Sequence, residues 1–242
     1  MSPTPPESPP PDEIDETASV AARYARRVSA DARYSPLKPD VWQTLHERQR
    51  RLLRRMVREG CTDLAALTLV EVGCGAGGNL LELLRLGFAP QHLMGLELLP
   101  ERHARARAVL PAATDVWLGD ATQAPVQPAS QDLVLQSTVF SSLLDDAFQQ
   151  RLADAMWSWL KPGGAVIWYD FTVDNPRNAD VRGVPLRRVR ALFPQARIAA
   201  ERVTLAPPLA RAVCRVHPAL YPVFNALPLL RTHLLAWVAK PR

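Results

Sequence analysis

The sequence predicts an α/β fold, a doubly wound and mostly parallel sheet with helices on both faces. Three observations carry this expectation. Short apolar, β-branched runs alternate with amphipathic helical stretches from about residue 61 onward. A glycine-rich turn joins the first run to the first of those helices, and acidic residues stand at the ends of the next two runs. Alternating strand and helix units place the strands parallel and the crossover helices on both faces.

The elements read in order as follows. Residues 1–18 are proline-rich and poor in apolar side chains, and they read as a tail without fixed structure. Residues 19–60 read as an N-terminal helical lid or cap. Within it, Tyr24 and Tyr34 lie among arginines, and a helix is expected over Val41–Glu59. On that helix Trp42, Leu45, Leu52, Met56 and Val57 share one broad face, while Arg48, Arg50, Arg51, Arg54, Arg55 and Arg58 populate the rest. Residues 61–242 read as the main domain. Strands are expected at Leu67–Val72, His92–Leu96, Val116–Leu118, Asp132–Gln136, Ala165–Tyr169, Ala196–Leu205 and His233–Ala239. Helices are expected from the glycine loop to Leu86, over Pro100–Leu110, Ala147–Leu160 and Leu186–Phe193, with a proline-broken helical insertion at about 206–230. Pro162-Gly163-Gly164 reads as a turn into the fifth strand. In such a sheet a ligand binds beyond the carboxyl ends of the strands, near the point where strand order reverses.

Composition narrows the class. The 242 residues suit one α/β domain with additions, and 48% apolar content suffices for a sizeable core. The formal charge of +5 falls on expected helices with no accompanying nucleic-acid motif, so it reads as a solvated basic surface and nucleic acid is not the expected partner. Cys61, Cys74 and Cys214 form no C-x-x-C pair, which points to neither a zinc site nor a disulfide framework and fits a reducing cytoplasm. The N-terminus lacks an apolar signal core, and no apolar run reaches the length of a membrane span. The apolar stretch Leu205–Leu230 suits an apolar acceptor, a peripheral membrane contact, or core and dimer packing. A monomer or a homodimer is expected.

The loop Glu71-Val72-Gly73-Cys74-Gly75-Ala76-Gly77-Gly78 turns sharply and lets a ligand approach the backbone. Gly73, Gly75 and Gly78 also satisfy the dinucleotide spacing, so the loop alone fits two cofactors. Glu71 tips the balance, because a carboxylate beside this turn disfavours a pyrophosphate and tolerates an ammonium and a sulfonium. Glu97, at the end of the second strand, can accept hydrogen bonds from ribose hydroxyls. Asp120, after the third, can accept an adenine amino group. Cys74 reads as a small spacer, although a helix N-terminus lowers a thiol pKa.

Glu71-x-Gly73-x-Gly75-x-Gly77, Glu97, Gly119-Asp120-Ala121 and Leu160-Lys161-Pro162-Gly163-Gly164 together resemble the class I S-adenosylmethionine-dependent methyltransferase family. The resemblance covers about Leu67 to Tyr169. It implies a seven-stranded sheet whose last strand, around His233–Ala239, is antiparallel. It also implies S-adenosylmethionine as cofactor, with S-adenosylhomocysteine as product. The backbone of Gly73, Cys74, Gly75 and Gly77 would meet the methionine part, Glu97 with Leu98 the ribose, and Asp120 with Ala121 the adenine. Gln136 and Ser137 would face the methionine end. Gln136–Ser142, Trp168–Phe171, Asn175–Asn178 and Val181–Gly183 resemble bacterial methyltransferases of glycan and specialised-metabolite biosynthesis.

Methyl transfer from a sulfonium needs alignment and desolvation more than a dedicated catalytic motif. Thr138, Tyr169 and Asp170 are the candidate catalytic residues, with Asp170 able to orient or deprotonate a hydroxyl. Tyr34, Ser141, Asn175, Arg177 and Arg182 are candidates for substrate binding, the arginines suiting an anionic group. The Asn/Asp-Pro-Pro-Tyr tetrapeptide of amino-group nucleic-acid methyltransferases is absent after the fourth strand, where Gln136-Ser137-Thr138-Val139 stands. No carboxylate and histidine set stands out, so no metal is expected. The expected activity is methylation of a small molecule, favouring a hydroxyl of a sugar-derived or specialised metabolite. The alternatives are an NAD-dependent oxidoreductase, disfavoured by Glu71 and by the lack of a second catalytic domain, and a non-catalytic protein on this fold that binds RNA or a partner.

Overall fold

Alternation of buried strands and covering helices governs the architecture of the computed structural model, which describes residues 16–26, 35–175 and 178–242. Tyr34 and Arg177, two of the expected substrate contacts, lie outside the described residues, as do residues 1–15 of the expected tail. The first described helix, α1, spans Glu16–Ala25, so residues 16–18 are helical rather than tail. Helix α2, Pro39–Arg58, opens with Pro39 and Asp40, a preset φ and an acid suited to a first turn.

The core then runs β1 (Leu69–Val72), α3 (Gly78–Leu86), β2 (Leu93–Glu97), α4 (Pro100–Val109), β3 (Asp115–Leu118), β4 (Gln131–Ser137), α5 (Asp146–Trp159), β5 (Leu160–Phe171), α6 (Leu186–Leu192), β6 (Arg197–Leu205), α7 (Pro207–Val216), α8 (Leu220–Asn225) and β7 (Arg231–Ala239). The seven strands form one sheet in the order β3-β2-β1-β4-β5-β7-β6. Strands β1 to β5 pair in parallel, and β7 alone runs antiparallel to both of its neighbours. The chain leaves β1 toward one edge and returns at β4 toward the other, so the switch point lies between these two strands.

Side-chain alternation along the strands builds two cores. Val134, Val166 and Trp168 face one way, onto Leu152 and Met156 of α5 and Val189 and Leu192 of α6. Leu133, Leu135, Ile167 and Tyr169 face the other, onto Met56 of α2, Leu80 and Leu83 of α3 and Ala106 of α4. Strand β1 is buried throughout, as a central parallel strand with both faces covered must be. A third cluster, Leu205, Ala210, Val213, Cys214 and Tyr221, belongs to the insertion between β6 and β7.

One local expectation changes and another takes definite form. Pro162-Gly163-Gly164 is a bulge inside β5 rather than a turn before it. Pairing shifts register opposite Gln131–Leu133, and a Cβ on Gly164 would lie 2.8 Å from the Asp132 carbonyl oxygen. The proline-broken insertion consists of two helices, α7 and α8. Pro218 has no N–H and forces its predecessor to extend, and His217 duly lies at φ −162 and ψ 132.

Trp168 is fully buried, with its ring 4.5 Å from that of Phe140 and 6.2 Å from that of Phe193. Trp168→Ala is expected to lower unfolding free energy by about 3–5 kcal/mol in urea titration, whereas an exposed change such as Arg54→Ala stays within about 0.5 kcal/mol.

Candidate functional site

The site grows from the carboxyl end of β1. Gly73 takes φ +64, and a Cβ there would stand 2.6 Å from Val139 Cγ2. Only glycine fits both the backbone and the space. The turn is then tied to the next strand. Cys74 N–H donates to the Leu96 carbonyl at 2.9 Å, and Gly75 N–H donates to Glu97 Oε2 at 2.7 Å. The other oxygen of Glu97 accepts the Leu99 N–H at 2.9 Å. Each carboxylate oxygen keeps a further lone pair for a ligand. Asp120 caps a short 3-10 turn, Ala121–Gln123, by accepting the N–H and the Oγ1 hydroxyl of Thr122, both at 2.9 Å.

These strand ends surround a cleft with about 800 Å³ of empty space, partly open to solvent. Gly73, Glu97, Leu98, Asp120, Ala121, Ser137 and Thr138, all expected from sequence, line it together. Leu96, Val139, Leu143, Phe148 and Leu152 give it an apolar wall. The residue types fit a nucleoside-bearing sulfonium cofactor: carboxylates for hydroxyls and an amino group, apolar surface for a base, and a bare backbone at Gly73.

Other expected contacts stand elsewhere. Glu71 is fully buried on the α2 and α3 side of the sheet. Asn79 Nδ2 donates to its Oε1 at 2.6 Å, and its Oε2 has no hydrogen-bond partner among the described residues. Burial pushes its carboxyl up to about 8, although Asn79 and Arg48 pull it down. Burial thus favours the uncharged form of Glu71, which weakens the simple repulsion expected from its sequence position. The Cys74 thiol packs away from the cleft, against Gly95 and Leu80, where burial pushes its pKa up; it is a spacer. Gly77 packs against Leu110 and Ala106. Gln136 is fully buried and braces the β4 loop, accepting the Val139 N–H at 3.2 Å and donating to the Tyr169 carbonyl at 3.5 Å.

The acceptor-side expectations change most. Asp170 is fully buried beneath the Phe140–Ser142 turn. Its oxygens accept the N–H groups of Ser141 at 3.1 Å and Phe171 at 2.9 Å, and burial pushes it up to about 7. It supports the loop after β4 and does not line the cleft. Ser141 is buried in the same turn, and its carbonyl accepts the Arg182 N–H at 2.8 Å. The Arg182 guanidinium pairs with Asp146, so it is already committed to a carboxylate. Asn175 is exposed in the loop after β5, and its carbonyl accepts the Asn178 N–H. Tyr169 projects to the α2 side, with its hydroxyl 2.9 Å from Thr204 Oγ1, its ring stacked on His233 at 5.0 Å and Arg48 above it at 5.3 Å. Thr138 does reach the cleft. It holds φ +58, an uncommon conformation for a β-branched residue, and strain of this kind concentrates at functional turns.

Sequence reasoning expected a helical lid over residues 19–60 but singled out neither the α1 residues that line the cleft nor Arg48 on its flank. Helix α1 contributes Thr17, Val20 and Tyr24 to the cleft. Glu16 Oε1 accepts the Leu144 N–H at 2.8 Å and Arg23 Nη2 at 2.6 Å, and Arg23 also donates to the Ser142 carbonyl at 3.0 Å. Arg102 lies 4.4 Å above the Tyr24 ring. On the flank, Arg48 donates to Asn79 Oδ1 at 2.7 Å and Ser137 Oγ at 3.4 Å, linking α2 to Glu71 and to the cleft. An Asn at the second position of α3 was the available signal, since a polar side chain there turns back toward β1. Among the described residues no group of three or more His, Cys, Asp or Glu is placed to hold a metal, and no helix is long and apolar enough to cross a membrane.

Residues 69–164 match the family model described as a methyltransferase domain. The chain is 29% identical over 116 residues to the tRNA N(3)-methylcytidine methyltransferase Mettl2 of Drosophila melanogaster, which covers 43% of this chain and 34% of that protein. The matched segment therefore spans about a third of that relative's length. Among solved structures, geranyl diphosphate C-methyltransferase from Streptomyces coelicolor superposes with a TM-score of 0.63 at 13% identity, over 96% of this chain and 100% of that one. An S-adenosylmethionine-dependent methyltransferase from Mesorhizobium loti gives 0.58 at 18% identity, over 78% and 96%. At these identities the superpositions establish a common fold.

The buried carboxyls give a pH signature. A carboxyl raised in the native state binds its proton more tightly there than in the unfolded chain. Its stabilising contribution is full below about pH 4 and is lost as pH climbs through the native values of about 7 for Asp170 and about 8 for Glu71. Unfolding free energy measured from pH 4 to 8.5 is expected to fall with a shallower slope in Glu71→Gln and in Asp170→Asn than in the parent; parallel slopes would contradict the assignment.

Proposed function

With residues 69–164 matching a methyltransferase-domain model, we propose that this protein is a class I S-adenosylmethionine-dependent methyltransferase that binds S-adenosylmethionine in the cleft and methylates a hydroxyl of a small, sugar-derived or specialised-metabolite acceptor. The observation that carries the reading is the cleft itself, with Glu97 and Asp120 at one end and Ser137, Thr138 and Ser142 at the other, roofed by α1. Glu97 accepts ribose hydroxyls, Asp120 the adenine amino group, and Gly73 lets the methionine part approach the backbone. The cofactor supplies an activated methyl group. The chain supplies alignment and exclusion of water, by which positioning alone contributes on the order of 7–11 kcal/mol. The hydroxyls of Ser137, Thr138 and Ser142 suit a polyol, whose hydrogen bonds are made in small pairs rather than by one strong charge. With Asp170 buried under its loop, no strong base is assigned. Residues 16–60 serve as cap and flank: α1 as a roof held by Glu16 and Arg23, and α2 as the carrier of Arg48.

NAD is disfavoured by a feature the sequence did not display. A pyrophosphate at this turn needs free backbone donors, and the Gly75 N–H is already given to Glu97. The basic surface is in part internally paired. Arg51 meets Glu201 at 3.0 Å, Arg55 and Arg197 meet Glu59 at 3.4 and 2.7 Å, and Arg188 meets Asp146 at 3.6 Å. The likeness to a tRNA methyltransferase favours RNA as the second reading. The three unpaired cysteines suit action in the reducing cytoplasm.

Tritiated methyl transfer across a panel of polyol, phenol, amine and tRNA acceptors is expected to label a hydroxyl compound; label confined to tRNA would replace the small-molecule acceptor with RNA. Asp120→Ala is expected to weaken S-adenosylhomocysteine binding about tenfold or more, in line with the ~1.5–3 kcal/mol of a hydrogen bond to a charged group, with an unchanged far-ultraviolet spectrum. Unaltered affinity would remove Asp120 from the adenine site.

A further inference from the structure

From Arg202 to Arg242 the chain contains no aspartate or glutamate. Within this stretch, every exposed residue between Ala206 and Leu230 is proline, alanine, valine, leucine or arginine, apart from His217. Val216, Val223, Leu227 and Leu229 are 77%, 63%, 56% and 91% exposed, four large apolar side chains within fourteen residues. Arg211 and Arg215 stand exposed on α7, the helix that ends at Val216. The acids placed against this unit, Glu47 and Asp40, act on its buried side, at Tyr221 and at Cys214. Beneath the surface the unit has its own small core around Tyr221, whose hydroxyl donates to Glu47 Oε2 at 3.0 Å, and Gln43 Nε2 donates to the Pro218 carbonyl at 3.1 Å. The exposed leucines and valines are therefore held outward on a braced platform.

We propose that this face docks on the surface of an anionic lipid bilayer. Apolar side chains flanked by cations, on short helices with low net charge of the opposite sign, are the makings of an interfacial contact: the apolar tips enter the acyl boundary while the arginines meet headgroup phosphates. Charge decides among the occupants. A second copy of this chain packed on the same face would offer Arg211 and Arg215 no side-chain carboxylate, since residues 202–242 of either copy contain none. Nucleic acid would leave Val223, Leu227 and Leu229 against water or phosphate. The topology gives docking a consequence. Strand β6 is parallel to β5, since both run antiparallel to β7, so the platform emerges at the same carboxyl edge of the sheet as the glycine loop. Docking therefore sets the edge that carries the cleft toward the lipid. The inference rests on the surface alone and stands apart from the choice of methyl acceptor.

The full chain, sedimented with vesicles of phosphatidylcholine containing phosphatidylglycerol, is expected to partition onto them, and much less onto phosphatidylcholine alone. Arg211→Gln with Arg215→Gln should lower the partition coefficient roughly 30-fold, from ~1 kcal/mol for each arginine at an anionic surface, and added salt should mimic this. Leu227→Ser with Leu229→Ser should lower it at least about tenfold. Both pairs are exposed and should leave the melting temperature unchanged, and the arginine pair keeps the test open if the leucine pair misfolds. Absence of partition onto anionic vesicles, or partition undiminished in both variants, overturns the proposal. A dimer in solution that dissociates on Leu227→Ser with Leu229→Ser also overturns it, assigning the face to a second copy.

Discussion

Glu97 ties together the two strand ends on which the cleft is built. One of its oxygens takes the Gly75 N–H and the other the Leu99 N–H, so the loop after β1 and the start of α4 are held by a single carboxylate. A charge-assisted hydrogen bond at such a place is about twice as strong as a neutral one. Its loss would leave two backbone donors without their protein partner at the rim of the cleft. The same contact fixes the chemistry of the cleft. Because Gly75 N–H points at Glu97, the turn presents a carboxylate where a dinucleotide site presents free amides. The preference for a cation-bearing nucleoside over a pyrophosphate follows from this bond more directly than from Glu71, whose uncharged form burial favours.

The parallel sheet and its cofactor end were legible in the sequence because both are local. A short β-branched run, a glycine turn and an acid at the next strand end each lie within a short window, and parallel topology then brings the strand ends together without further information. That is why Gly73, Glu97, Asp120 and Ser137 meet in one cleft. The acceptor side was legible only in part, because side-chain direction depends on pairing. Asp170 and Tyr169 are adjacent in β5 and project to opposite faces, one beneath the Phe140–Ser142 turn and the other toward α2. The alternation was readable; which face carried the cleft was not. Contacts of long sequence separation were also hidden: Glu16 with Leu144, Arg23 with Ser142 and Arg48 with Asn79 join the first sixty residues to the core.

The loop after β4 shows how the buried and strained groups serve one another. Thr138 holds a left-handed backbone whose cost is of order 1–3 kcal/mol. Gln136 from below and Asp170 from the side, each with backbone N–H donors, keep the following turn in place. Arg23 fastens α1 to the same turn through the Ser142 carbonyl. Loop, roof and cleft wall thus share one set of hydrogen bonds, and a change at Asp170 should reach the cleft without touching a ligand. At the far end of the sheet the insertion between β6 and β7 follows a different logic: it has its own small core and an outer face free of acids, and it sits on the rim that carries the cleft.

Calorimetric titration with S-adenosylhomocysteine and, separately, with NAD tests the central claim most directly. Saturable binding of the first, lost or sharply weakened in Glu97→Ala, with no heat from the second, is the predicted result. NAD binding in the absence of S-adenosylhomocysteine binding would contradict it.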